Sequence, residues 1–202
     1  MAKGPDDGDA QPAAFRHAVA ALDGARTRRE VRIEPMPAPR RLAPFAHAVE
    51  AAIEVDGEEL ADGRFVLLHD PQGQEAWQGT FRVVTLARAE LEAEMAADPL
   101  LPEVTWSWLT GALDAHGTPY GEAGGTVTRA SSHYFGELAE RPPQAEIEIR
   151  ASWTPPALSG GPPDAAGHLV SWCELLCQCA GLPPEYGDGV VRLPPRRGPQ
   201  PL

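Results

Sequence analysis

The chain has 202 residues, 29 of them acidic and 17 basic, for a net charge of −12. That length buries the core of one ordinary domain. The acidic excess excludes a general surface for nucleic acid or anionic membrane. No apolar run approaches the roughly 18 residues that a spanning helix needs.

The opening residues, MAKGPDDGDAQP, are polar and acidic where a secretory signal is basic and then apolar, so a soluble cytoplasmic protein with no membrane association is expected. Cys173, Cys177 and Cys179 cannot all pair within one chain, and free thiols in a reducing compartment follow. Charge is unevenly laid down. Residues 1–42 hold eight basic and six acidic side chains, whereas 43–202 hold nine and 23. The expected organisation is a disordered start over 1–11, one α+β domain over 12–184 and a flexible proline- and arginine-bearing tail over 185–202.

A short helix from Pro12 to Asp23 places Phe15, Ala18, Val19 and Leu22 on one face and ends at Gly24. Val31 and Ile33 alternate with charge in Glu30–Glu34, as in a short edge strand, and the prolines after it impose an extended passage. Phe45–Val55 keeps period two throughout and predicts a strand. Asp56–Gly63 is polar and predicts a loop.

Gly63–Ala115 is the central stretch. Arg64–His69 carries apolar bulk on both faces, as a strand inside a sheet does. Asp70-Pro71-Gln72-Gly73 supplies turn chemistry. Gly79–Arg88 then returns as a second strand, antiparallel to the first. From Ala89 the composition turns to helix formers, ending at Asp98-Pro99. A further helix over Leu101–Ala115 presents Leu101, Val104, Trp108, Leu109, Ala112 and Leu113 as an apolar arc, with Glu103, Ser107, Thr110 and Asp114 opposite and Gly117 just past the end.

A Gly124-Gly125 turn leads into a polar strand over Thr126–Phe135. The cleanest alternation in the chain follows at Ala145–Trp153, where odd positions are apolar and even positions are Glu146, Glu148, Arg150 and Ser152. One face of the sheet is therefore wet. After a proline- and glycine-rich linker, Asp164 caps a last helix to about Ala180, with Leu169, Trp172, Cys173, Leu176 and Ala180 facing the core. Neighbouring strands without intervening helices predict a single antiparallel sheet of five to six strands with helices on one face. The element order is similar to that of secretion-chaperone-like folds.

His69, Asp70 and Glu75 form the most enzyme-like group, an imidazole and two carboxylates beside a turn; alternatively, Asp70 starts the turn and His69 ends the strand. Cys173 and Cys177 lie one helical turn apart. Cys179 falls about 160° from Cys177 and His168 about 140° from Cys173, so one helix cannot ligate a metal with all four, and no metal is expected. Buried thiols packing as small hydrophobes are the alternative. Arg26, Arg28, Arg29, Arg32, Arg40 and Arg41 are spaced by prolines in a way that suits an anion- or RNA-binding arm, or simply pair with the acidic body. Trp77 beside a turn and Trp106 at the polar border of its arc are candidates for a partner surface. No Walker or dinucleotide spacing occurs, and no cofactor is expected. Ser131-Ser132-His133 is a neighbourhood in sequence only.

Six segments, EPMPAPRRLAPFAHAV (34–49), GRFVLLHDPQGQEAWQGTFRVVTLARAEL (63–91), ADPLLPEVTWSWLTGALDAHG (97–117), GGTVTR (124–129), EIRASWTP (148–155) and CAGLPP (179–184), together resemble an actinobacterial family that carries a domain-of-unknown-function label. The match spans about 13–195. The resemblance implies no activity, cofactor or catalytic residue. The expected function is a non-enzymatic protein-binding or adaptor module, with homodimerisation open. The alternatives are a small-ligand binder or enzyme at His69-Asp70, and RNA association through Arg26–Arg41.

Overall fold

The computed structural model describes residues 11–184, except the side chains of Ala93 and Glu94. The expectations for residues 1–10 and for the tail from 185 lie outside it. The elements are α1 (Ala13–Asp23), β1 (Val31–Met36), β2 (Phe45–Val55), β3 (Glu58–Gln74), β4 (Gly79–Leu91), α2 (Ala93–Ala97), α3 (Leu101–Ala115), β5 (Gly121–Ser132), β6 (Gln144–Thr154) and α4 (Ala165–Cys179). The fold is α+β, with six strands in one open antiparallel sheet ordered β1-β2-β3-β4-β6-β5. The last strand inserts beside β4, because α2 and α3 carry the chain away before β5 forms.

A parity rule organises the sheet. Val49 pairs with Phe65, Phe65 with Thr85, Thr85 with Ala151 and Ala151 with Gly125, so odd positions share one face. Even positions, such as Glu50, Arg64, Leu86, Arg150 and Thr126, share the other. Because side chains alternate with period two, a slip of one residue at any pairing would exchange the faces. The odd face carries Phe65, Leu67, Val83, Ile147, Ile149 and Trp153, all essentially inaccessible. Over them lies α4, whose Leu169, Trp172 and Leu176 are equally buried. Each such side chain contributes about 1.5–3 kcal/mol by leaving water.

The helix α4 is buried nearly all round, beyond the stripe predicted. It packs on β2, β3 and β4 below and against α1 and α3 beside it. Inside, the Ser171 hydroxyl donates to Gly167 O at 2.9 Å and lies 3.3 Å from Thr118 Oγ1, whereas the buried Trp172 indole N–H has no hydrogen-bond partner among the described residues. Asp164 caps it by accepting from Gly167 N at 2.9 Å.

Several sequence expectations are corrected. The Asp56–Gly63 loop is only the turn Asp56-Gly57, with φ of 53° and 84°. Asp-Gly is the pair that a tight hairpin favours, and β3 begins at once. The reversal placed at Asp70–Gly73 is instead an irregularity in the ladder between His69 and Gln74. The chain turns one step later, through the 3-10 turn Glu75–Trp77 and left-handed Gln78.

Farther along, the predicted helix from Ala89 is a strand up to Leu91. Ala89, Glu90 and Leu91 pair with Ile147, Glu146 and Ala145, and this ladder overrides local helix propensity. Gly124-Gly125 lies inside β5 and makes no turn, and the strand ends at Ser132 without reaching Phe135. The helix α3 is rolled relative to its predicted arc: Thr105 is buried, Val104 is exposed and Trp108 is half-buried. The roll follows from Trp106, whose ring lies against the bare backbone of Gly125. Among the described residues no helix is long and apolar enough to cross a membrane.

Candidate functional site

His69 and Asp70 point to opposite faces of β3. His69 is buried, its Nδ1–H donates to Thr80 O at 2.9 Å, and its ring stacks on Phe81 with centroids 4.1 Å apart. Burial holds its pKa below the usual imidazole value. Asp70 accepts from Gln72 N at 3.1 Å and Gln74 Nε2 at 3.2 Å, a local turn role. Glu75 is exposed and joins neither. The structure does not bring the three together.

On α4, His168 accepts through Nδ1 from the Trp153 indole N–H at 3.0 Å, and burial lowers its pKa from 6.5 to about 4. It is a neutral core residue. Cys173, Cys177 and Cys179 are buried and form no disulfide, and burial pushes the Cys173 and Cys179 thiols far above their ordinary value. Among the described residues no group of three or more His, Cys, Asp or Glu could hold a metal ion. Ser131 Oγ lies 3.2 Å from His133 Nε2 on the surface.

The arginines of Arg26–Arg41 separate. Arg28 is largely buried beside Glu30 and Glu174, and it donates to Pro183 O at 2.8 Å. With Arg26, Trp108 and His116 it lines a cleft of about 690 Å³ between α3 and α4. Arg29 is exposed beside Glu30. Arg32 on β1 is bound by Glu34 at 2.6 Å and Glu54 at 2.8 Å. Arg40 and Arg41 are exposed in the loop before β2. No single basic surface comes from this segment.

Trp106 is half-buried against Gly125 and works as packing. Trp77 is half-buried at the end of the 3-10 turn, and its carbonyl accepts from the Thr154 hydroxyl.

Sequence reasoning missed what the even face of the sheet assembles. Half-buried Ala46, Val66, Val84 and Leu86 form an apolar strip across β2, β3 and β4, continued by Ala48 and Leu68, which are themselves buried. Leu86 is its edge, with Arg64 opposite on β3, Arg150 opposite on β6 and Arg88 two residues along. Side chains at such positions are neighbours. A concavity of about 520 Å³ runs here, and its only charged lining residues are these three arginines. Arg88 and Arg150 share Glu148 at 2.9 and 2.6 Å, whereas Arg64 makes no ion pair among the described residues. Glu50 pairs with Arg64 from β2, and Asp62 lies two residues before it on β3, paired with Arg88. The helix contacts defined by Trp106, His168 and Trp172 all fall on the other face. Alternation in β6 already marked Arg150 as wet, but the cross-strand register that gathers the three arginines is not written in any one segment.

The molecule is thus a two-layer α+β protein with one sheet face left open, and with no assembled catalytic group among the described residues. The chain belongs to the family described as Protein of unknown function (DUF3000), whose model matches residues 11–191. Comparison with curated proteins and with solved structures gives no significant match.

Proposed function

We propose that this protein is a non-enzymatic protein-binding module of the cytoplasm, an adaptor that presents the open sheet face to an acidic, apolar segment of a partner polypeptide. One observation carries this: an apolar strip with no helix over it, bordered by Arg64, Arg88 and Arg150 in a chain of net charge −12. A patch of that sign on an acidic body selects the opposite charge and repels most of the protein's own surface. Val66, Val84 and Leu86 remain partly accessible, and accessible apolar area rimmed by charge marks interaction sites. Three cysteines that form no disulfide accord with a reducing compartment.

The test places a photoreactive residue at Val84, with Glu103, exposed on α3, as a control position, in the native cell. The expected result is a stoichiometric cross-link from Val84 into an acidic, apolar segment of one other polypeptide, lost on Arg64→Glu with Arg150→Glu. No cross-link above the Glu103 control would remove the proposal, and so would capture of a second copy of this chain.

A further inference from the structure

At the end of the sheet where β4 starts and β6 stops, a second groove of about 550 Å³ opens, apart from the arginine face. Its walls are Trp77 and Phe81 on one side and Tyr120 with Pro119, Pro155 and Pro156 on the other. Glu122 lies on its lip, and an adjoining hollow adds Glu75. Both glutamates are exposed, and neither makes an ion pair among the described residues.

The groove is held in shape from beneath. Arg82 donates through Nη1 to Glu122 O at 2.9 Å and to Thr154 Oγ1 at 3.0 Å, and through Nη2 to Ser152 Oγ at 2.7 Å. Thr154 in turn donates to the carbonyl of Trp77. One guanidinium thereby fixes the segments that carry Trp77, Glu122 and Pro155. Gln78 and Glu122 on the two lips hold φ of 52° and 49°. Residues with a β-carbon keep such values only where their surroundings enforce them. Walls set before binding spare the ligand the cost of ordering them.

Trp77 and Tyr120 also carry unused donors. Neither the indole N–H nor the phenol hydroxyl makes a hydrogen bond among the described residues. The groove therefore offers flat rings, proline edges, two donors and a negative rim. A polyproline II segment is the complementary object. It has no internal hydrogen bonds, so its carbonyls all seek donors, and its prolines have no N–H needing an acceptor. Pyrrolidine rings fit aromatic slots, and arginine answers the carboxylates. An anionic ligand would meet Glu75 and Glu122 instead.

We propose that this groove binds a proline-rich, arginine-bearing segment of a partner polypeptide. Its charge preference is opposite to that of the sheet face, so the two sites take different partners and fail or stand independently.

The test is fluorescence anisotropy of the full chain with a labelled polyproline II peptide carrying two arginines. Saturable binding with Kd on the order of 10–100 μM is expected, as for transient peptide contacts. Tyr120→Phe, which removes only a hydroxyl, should weaken it about threefold to tenfold. Glu75→Lys with Glu122→Lys should weaken it at low salt, with the difference fading as salt rises. Replacing the peptide's arginines by glutamate should abolish binding. Residues 192–201 of this chain are themselves rich in proline and arginine. The titration is therefore repeated with Arg192, Arg196 and Arg197 changed to alanine. Absence of saturable binding in both forms up to about 1 mM would overturn the proposal. Indifference to Tyr120→Phe and to the glutamate changes would do so equally.

Discussion

Lowering the pH should destabilise this fold well before its surface carboxylates titrate, through His168. Its ring is buried, and its Nδ1 accepts from Trp153, so protonation both charges a dry site and destroys the bond. The folded pKa is about 4 against an ordinary 6.5. With the folded value depressed, the unfolded chain binds the extra proton. Stability from this group is then complete above pH 6.5 and is lost as pH falls towards 4. At about 1.4 kcal/mol per unit, His168 alone removes about 3 kcal/mol between pH 7 and pH 4. That is a large share of a typical domain's 5–15 kcal/mol. His69, lowered by burial, acts in the same direction. Urea unfolding at steps between pH 7 and 4 measures the total, and His168→Gln isolates the part due to His168. The variant should be less stable at pH 7 and lose less on acidification, its slope flatter by up to about 1.4 kcal/mol per unit. Parallel curves for the two proteins, or a His168 imidazole resonance titrating near 6.5, would refute the reasoning.

Two further outcomes follow from packing. Gly63→Ala places a β-carbon 2.4 Å from Leu86 O and 2.6 Å from the Trp172 ring, and it should cost about 1–3 kcal/mol in denaturant unfolding. Gly124→Ala, with nothing within 4 Å, should leave stability unchanged or slightly raised. Cys173, Cys177 and Cys179 are buried, with Cys173 and Cys179 thiols held protonated, so a thiol reagent should label none in native protein and all three in urea.

Much of the architecture is written locally. Period two in Phe45–Val55 and Ala145–Trp153 gives strands and their wet face, Asp164 gives the start of α4, and Gly117 and Gly181 stand where helices end. The errors fall where local preference meets a distant partner. AELEAEMAA favours helix, yet Ala89–Leu91 lies where β6 supplies a ladder. Gly124-Gly125 has turn chemistry, yet Gly125 sits in β5 because Trp106 needs a position without a side chain. Of the candidate surfaces, Trp77 was legible from its place beside a turn. Its groove was not, because Tyr120, Glu122 and Pro155 come from other segments. The arginine face was missed for the same reason.

The sequence by itself determined the type of the strongly periodic segments, the odd-apolar alternation and the acidic balance, since these depend on residues within a few positions of each other. Only the tertiary structure decided the full strand order, and with it the β4–β6 pairing that brings Arg150 to Leu86, across from Arg64 on β3. Register is a property of two chain segments at once, fixed when both bury their odd faces under α4, and no single segment carries it.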